Sequence, residues 1–127
     1  MSLPPSATTY FERLAAGDFA GAAECFTVDC FYSHPPYDPG ADGPTGRRIE
    51  ATSREELRDL FALRGERDWH HETRTTTVGE SFFVEGVVRD GAGATVLSYL
   101  SSGHVAADGL IQRYVAYDSR PAVGRPL

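Results

Sequence analysis

A histidine stands where an extended segment runs into two consecutive prolines, in the stretch Asp29-Cys-Phe-Tyr-Ser-His-Pro-Pro-Tyr37. Proline fixes its own φ angle and pushes the residue before it into extended geometry. His34 is therefore predicted at a stiffened strand end, where its imidazole can be aimed at a ligand. Because imidazole titrates near neutral pH, such a histidine could take and return a proton. The alternative interpretation is an ordinary turn residue at the surface.

Metal and redox chemistry have little support in the sequence. No two of the four histidines have the i, i+4 helical spacing or the alternate-strand spacing that puts both side chains on one side. Cys25 and Cys30 form neither a CxxC redox pair nor a zinc-binding pattern, so we expect two buried free thiols. No metal and no cofactor are predicted.

The composition is that of a soluble globular protein, with 41% hydrophobic and 24% charged residues. The length of 127 residues fits a single domain, which we place at 1–127. A net charge of -6, in which all 12 basic residues are arginine, disfavours nucleic acid and anionic membranes as partners. No apolar run is long enough to span a bilayer, and the N-terminus lacks a signal pattern, so a cytoplasmic location is expected.

Three amphipathic helices are predicted to position these residues. Apolar side chains from Ala7 to Ala15 form one stripe at helical spacing, and Gly17 suits the end of that helix. A second short helix is predicted over Phe19 to Phe26. Ser53-Arg-Glu-Glu56 is a capping box, and the third helix is expected to end at Gly65.

The remaining segments are predicted as strands and loops. Val28 to Ser33 is predicted as the first strand, Asp38 to Gly46 as a loop that could form a flap, and Arg47 to Ala51 as a return strand. The period of two after Gly65 predicts four antiparallel strands: Trp69 to Val78, Glu80 to Arg89, Thr95 to Val105 and Leu110 to Tyr117. This order indicates an α+β fold with the helices gathered on one face of a curved sheet.

This layout, from about Ala7 to Asp118, resembles the nuclear transport factor 2-like superfamily, which includes the steroid Δ-isomerases (ketosteroid isomerases) and the SnoaL-like polyketide cyclases. Tyr10-Phe-Glu-Arg-Leu-Ala-Ala-Gly-Asp-Phe19 is similar to the opening helix of the isomerases. The resemblance implies a cystatin-like α+β barrel, in which a strongly curved antiparallel or mixed sheet wraps around the three N-terminal-half helices. It also implies a cone-shaped apolar pocket, a small apolar carbonyl-containing ligand and a homodimer.

The resemblance assigns roles to four residues. Tyr10 matches the tyrosine that donates a hydrogen bond to the enolate oxygen of the substrate, and His34-Pro35 falls where the isomerases carry their catalytic aspartate followed by proline. Ser101 falls where they carry a second oxyanion donor, a protonated aspartate, and Phe61 replaces a tyrosine. Because a serine lacks the special acidity of a neutral buried carboxyl group, no steroid turnover is predicted.

Strand alternation adds further candidates. Tyr99 shares a face with Ser101, and Tyr114 shares a face with Asp118; by the resemblance both faces line the pocket. Asp118 is a candidate acid or an exposed strand end. Tyr32 and Phe61 are assigned to the ligand wall, although aromatic residues at helical spacing, Phe61 among them, also fit a plain core.

Two further positions remain open. Glu85 interrupts an apolar strand and either points inward as a second acid/base group or outward to pair with an arginine such as Arg74. His70 and His71 are adjacent on a strand, so only one can face the pocket, and His70 is taken as the ligand-binding candidate.

These residues predict general acid/base proton transfer next to a carbonyl, of the isomerase, cyclase or dehydratase type. His34 and Tyr10 are the central pair, with Asp118 and Ser101 in support. The alternative is a non-catalytic ligand-binding or dimeric scaffold module of the same fold, because an unmistakable pair of buried carboxylates is missing from the sequence. Whether the protein is an enzyme stays open at this point.

Overall fold

The computed structural model describes residues 2–37, 47–124 and 127. The part of the chain between the first two of these ranges contains the predicted flap, which therefore lies outside the described residues. The helices are α1 (Pro5–Ala15), α2 (Phe19–Ala23) and α3 (Arg54–Arg64). The strands are β1 (Phe26–His34), β2 (Ile49–Ala51), β3 (Trp69–Val78), β4 (Ser81–Asp90), β5 (Thr95–Val105) and β6 (Ile111–Ser119). The predicted α+β class is confirmed.

The helix ends follow the local signals in the sequence. The Ser53 side chain accepts a hydrogen bond from the Glu56 backbone N–H at 3.1 Å, which caps the N-terminus of α3. Gly65, at φ 69°, ends the same helix in the left-handed region. The prediction that Phe26 belongs to α2 is wrong, because α2 ends at Ala23 and Phe26 begins β1.

One mixed sheet contains all six strands, in the order β2-β1-β6-β5-β4-β3. β1 and β6 are parallel, and every other neighbouring pair is antiparallel. The register places Tyr32 beside Tyr114, Gly103 beside Tyr114, and Ser101 beside both Ala116 and Val84. Because directly paired residues point to the same face of a sheet, these positions together define its inner face.

An aromatic cluster forms the centre of the core between the helices and the inner face. Its rings make edge-to-face and stacked contacts, for example 5.1 Å between the centroids of Tyr10 and Phe26 and 5.7 Å between those of Tyr32 and Tyr114. The buried members are Tyr10, Phe26, Tyr32, Phe61 and Tyr114. Cys25 and Cys30 are buried free thiols. Three of the five aromatic side chains in this cluster are tyrosines, so the core contains polar phenol groups as well as hydrocarbon.

Two further features concern the helices. The Arg54 guanidinium at the start of α3 donates two hydrogen bonds to the Phe26 carbonyl oxygen, at 2.9 and 2.6 Å, and so ties this helix to the beginning of β1. None of the helices in the described ranges is long and apolar enough to cross a membrane.

Candidate functional site

A cavity of about 560 Å³ lies between the inner face of the sheet and helices α1 and α3. All six tyrosines of the chain border it. The wall also includes aliphatic side chains such as Val84, Val88 and Leu97, and several charged side chains. A concave, mostly apolar space with a few convergent polar groups is the usual form of a small-molecule site.

His34 lies on the wall of this cavity, at the end of β1. Its Nδ1 lies 2.7 Å from the Pro35 carbonyl oxygen, and since a carbonyl can only accept, Nδ1 carries the hydrogen. The ring stacks on Tyr32 with centroids 5.9 Å apart and an interplanar angle of 7°. No described residue hydrogen-bonds Nε2, so its lone pair is available to a ligand. The stiff strand end has aimed the imidazole as the proline pair predicts.

The surroundings keep His34 neutral. Its pKa is lowered from 6.5 to about 4, mainly by burial; the hydrogen bond to Pro35 opposes the decrease, and the positive charges of Arg64 and Arg48 add to it. At neutral pH the imidazole is therefore uncharged and able to accept a proton at Nε2. Because its pKa is low, a proton taken up there is readily given back.

Tyr10 borders the same cavity from α1. Only 2% of its surface is exposed, and its ring stacks on Phe61 at 5.8 Å and meets Tyr114 edge-on at 5.5 Å. Burial raises its pKa well above the ordinary value; Tyr114 and Tyr37 add to the increase, and Arg64 opposes it. The phenol therefore stays protonated and can donate a hydrogen bond to a negatively charged oxygen of a ligand.

Tyr114 and Ser101 lie beside Tyr10. Burial raises the pKa of Tyr114, and the neighbouring hydroxyls of Ser101 and Tyr10 lower it in part. The Ser101 Oγ is fully buried and makes no hydrogen bond to a described residue. Ser101 faces inward as predicted but does not line the cavity, so it can influence a ligand only through Tyr114.

A pair of phenols closes the wall next to His34. The hydroxyl oxygens of Tyr32 and Tyr37 are 2.7 Å apart, and the Tyr37 ring lies 4.9 Å from the imidazole. Burial raises the pKa values of both phenols. Either hydroxyl can donate in this hydrogen bond, and the one that accepts keeps its own hydrogen for a ligand. Tyr37 was not among the sequence candidates, although it directly follows the proline pair.

Asp118 and Tyr99 occupy the inner face at the far end of the sheet. They are directly paired across β6 and β5, and both border the cavity. The Asp118 side chain is 24% exposed and lies 3.8 Å from the Arg120 guanidinium. Burial raises the pKa of Tyr99 to about 12. The structure gives no contact between Asp118 and His34 among the described residues.

The histidine pair on β3 is resolved by its register. His71 pairs with Val88 on the inner face, contacts the Tyr99 ring at 5.9 Å, and has its pKa lowered by burial. His70 pairs with Arg89, is mostly exposed, and directs its Nε2 towards Asp68 at 3.7 Å. His70 reaches only the rim, so the inward-facing member is His71 and not the candidate chosen from the sequence.

Two predicted ligand-wall residues do not line the cavity. Glu85 lies on the outer face and pairs with Arg74 at 2.7 Å, which is the outward alternative. The reason is the strand register, which places Val84 and Gly86 on the inner face and Glu85 between them on the other. Phe61 is fully buried in the aromatic core. Both assignments to the ligand wall are therefore corrected.

Arg64, the last residue of α3, is a cavity residue that sequence reasoning missed. Its guanidinium lies 5.9 Å from the centroid of the Tyr37 ring, and Nη1 donates to the Gly65 carbonyl oxygen at 3.0 Å. An arginine in the last turn of a helix is usually explained by the helix dipole, which hides any role in a cavity. Within the described ranges, no group of three or more His, Cys, Asp or Glu side chains could hold a metal ion.

Three solved structures show how the fold compares. A candidate polyketide cyclase from Sinorhizobium meliloti is 19% identical, with a TM-score of 0.66 and coverage of 91% of this chain and 95% of that one. A candidate ketosteroid isomerase from Kribbella flavida is 20% identical, with a TM-score of 0.63 and coverage of 98% and 82%.

The third structure is a protein with a ketosteroid isomerase-like fold from Catenulispora acidiphila, in complex with trimethylamine; it is 17% identical, with a TM-score of 0.68 and coverage of 96% and 91%. At such low sequence identities, the structural likeness shows the fold alone. No curated protein matches the chain. The family model described as SnoaL-like domain matches residues 7–114, which is most of the chain and includes most of α1 and all of β1 and β5. The chain therefore belongs to the SnoaL-like domain family.

Proposed function

We propose that the protein is an enzyme that moves a proton next to the carbonyl group of a small, largely apolar molecule. The observation that carries the proposal is that His34 and Tyr10 line the same cavity, the first with an Nε2 that no described residue hydrogen-bonds and the second with a phenol held protonated. Proton abstraction α to a carbonyl needs a base and a hydrogen-bond donor for the oxygen that becomes negative. The two residues supply these groups.

The proposed step moves one proton between the substrate and His34 and needs no further reactant. Nε2 of His34 takes the α proton, the C–H electron pair moves to form the enolate, and Tyr10 donates a hydrogen bond to the enolate oxygen. Tyr114, whose ring meets that of Tyr10 at 5.5 Å, is proposed as a second donor, and Ser101 acts on the Tyr114 hydroxyl. The imidazolium then returns the proton to the same or another carbon. Isomerisation, cyclisation and dehydration can each begin with this step.

Asp118 is the second acid/base candidate in the proposal. It borders the cavity from the end of β6, next to Tyr99, and its partner Arg120 lies 3.8 Å away. A substrate that spans the cavity would place His34 at one end and Asp118 at the other. If His34 proves inert, an enzyme built on Asp118 is the remaining version of this mechanism.

A non-catalytic ligand-binding module is the second candidate function. The observation in its favour is the low pKa of His34, about 4, together with the lack of a described carboxylate in contact with its ring. Carboxylates that orient and strengthen a catalytic histidine are common in enzymes that use histidine as a base. A pocket that binds a ligand without turnover needs no such partner.

Assembly, domain and location are also proposed. We propose a homodimer formed through the outer sheet face, where Phe83, Leu100 and Tyr117 are 40%, 53% and 56% exposed. Residues 1–127 are proposed to form one domain, and the cytoplasm remains the proposed location, for which the two free thiols are suited.

The test is an NMR titration of the His34 ring with and without a phenol that mimics an enolate. We expect the phenol to shift the His34 resonances and its apparent pKa, and Tyr10→Phe to weaken phenol binding by about tenfold or more. Phe83→Leu, at an exposed position on the outer sheet face away from the cavity, is the control. A His34 ring that titrates near 6.5 and ignores the phenol would contradict the proton-transfer proposal.

A further inference from the structure

Arg64 brings a positive charge to the aromatic wall of the cavity. The chain turns sharply at Gly65 directly after it, and the half-buried side chain is held by the Gly65 carbonyl and the face of the Tyr37 ring. The second contact is a cation–π interaction, which fixes the planar guanidinium beside the phenol pair next to His34.

Among the described residues, Arg64 has no acidic partner. The whole chain carries a net charge of -6, yet Arg64 and Arg120 line the described part of the cavity beside Glu12 and Asp118. Asp118 and Arg120 offset each other at 3.8 Å. In the described part of the chain, no carboxylate lies within ion-pair distance of Arg64. Among the described residues, Arg64 is thus a cation without a counter-charge in the wall of the cavity.

The charge of Arg64 acts on several groups around the cavity. It opposes the increase in the pKa values of Tyr10 and Tyr37 and adds to the decrease in those of His34 and His71. These four residues lie on four different elements or loops. Such a field favours negative charge on a ligand wherever the ligand sits between these groups. An arginine whose side chain points into solvent would interact with the helix dipole equally well, so the dipole does not explain why Arg64 lies in the cavity.

A partly desolvated guanidinium without a counter-charge is costly, and a ligand anion would relieve that cost. The planar fork of an arginine matches a carboxylate through two parallel hydrogen bonds. We infer that the substrate of the proposed enzyme carries a carboxylate remote from the reacting carbonyl, and that Arg64 binds this carboxylate and sets the specificity of the site. This inference rests on the proposed function, since it assumes that the carbonyl end binds near Tyr10 and His34.

The test uses matched pairs of phenols that differ only in charge. 4-Hydroxybenzoate, 4-hydroxyphenylacetate and 3-(4-hydroxyphenyl)propionate are each compared with their neutral primary amide by calorimetry. The series varies the distance from phenol to carboxylate, so it does not depend on one assumed length. We expect at least one carboxylate to bind about tenfold tighter than its amide, the effect of one charge-assisted hydrogen bond.

Three variants assign the effect to its residue. Arg64→Gln should reduce the preference for that carboxylate to less than about threefold, and Arg64→Lys should retain part of it as a point charge. Arg58→Gln removes the same charge from the solvent side of α3, where the Arg58 side chain is 55% exposed, and should leave the preference unchanged. Circular dichroism establishes that each variant is folded, and the wild-type comparison of acid with amide needs no variant at all.

The outcomes separate the inference from the proposed function. Phenols that bind and perturb His34, but with equal affinity for acids and amides of every length, would overturn the inference and leave the proton-transfer proposal standing. A preference for the acid that survives Arg64→Gln would also overturn it, because another cation would then hold the anion. If no phenol, charged or neutral, binds the cavity, both the proposed function and the inference fail.

Discussion

At the scale of single residues, the tautomer and charge of His34 are set by one neighbour in sequence, Pro35, and by burial and two distant arginines. Pro35 fixes the geometry of the strand end and accepts the Nδ1 hydrogen through its carbonyl oxygen. Burial and the charges of Arg64 and Arg48 then lower the pKa of the imidazole to about 4. The first effect selects the tautomer, and the second keeps the ring neutral at physiological pH.

The low pKa of His34 predicts a specific dependence of stability on pH. In the unfolded chain the ring titrates near 6.5 and in the folded protein near 4, so between these values the unfolded chain binds more protons. The free energy of unfolding should therefore rise as the pH increases through this window and be lost as it falls. At 1.36 kcal/mol per pH unit, the contribution of His34 is at most about 3 kcal/mol.

His34→Gln removes this titration and should make the rise between pH 4 and 6.5 in urea unfolding curves smaller, leaving the part that His71 contributes. His70→Gln, at the exposed neighbour of His71, is the control and should keep the wild-type slope. An unchanged slope in His34→Gln would mean that the ring is not held neutral by burial.

At the scale of elements, the cavity depends on how closely β4 and β5 carry their inner side chains. Gly86 on β4 pairs with Tyr99 on β5, and the Tyr99 ring lies where a Cβ at position 86 would be. Gly103 has the same relation to the Phe82 ring on the same face. These glycines are needed for a close approach of rings to backbone, since neither has a positive φ angle.

Gly86→Ala should therefore push the Tyr99 ring into the cavity. We expect a loss of about 1–3 kcal/mol in stability from overpacking, together with weaker phenol binding because the ring borders the cavity. Gly103→Ala is the matched change: it disturbs Phe82, which belongs to the core and does not line the cavity, so it should cost similar stability with little effect on phenol binding. Equal effects of the two variants on binding would contradict this division.

The junction between α3 and β1 offers a second prediction at this scale. Arg54→Ala removes both hydrogen bonds to the Phe26 carbonyl oxygen and should lower the free energy of unfolding by about 1–3 kcal/mol. Arg58→Ala, on the same helix, breaks only an exposed ion pair of 4.0 Å with Asp59 and should change stability by less than about 0.5 kcal/mol. Denaturant titrations of both variants provide the measurement, and equal losses would contradict the structural role of Arg54.

At the scale of the whole molecule, the outer sheet face bears on the proposed dimer. Leu100 pairs with Glu85 on one side and Tyr117 on the other, so its exposed side chain lies between a charged and an aromatic neighbour. If this face joins two copies, Leu100→Glu should bury an unpaired charge and shift the protein to monomers in analytical ultracentrifugation. Leu63→Glu, at an exposed apolar site on α3 away from the sheet, is the control. A wild-type protein that sediments as a monomer would contradict the dimer.

Much of the architecture was predictable from local patterns. The period of two located β3 and β5 with their observed bounds, and the capping box and Gly65 located α3. Phe26 was misassigned because an aromatic residue at helical spacing fits a helix and a strand start equally well, and only the packing of its ring decides. Alternation also put Tyr99 and Tyr114 on the correct face, since side-chain direction along a strand depends on the residue count alone.

The amino-acid order by itself thus determined the approximate limits of most elements and the central candidates His34 and Tyr10, because caps, prolines and periodicity act between near neighbours. Only the tertiary structure decided which candidates meet. The register between β3 and β4 turned Glu85 outward to Arg74 and His71 inward, and the end of α3 brought Arg64 to the cavity. These outcomes depend on pairings between segments far apart in the chain, and so does the burial that keeps His34 neutral.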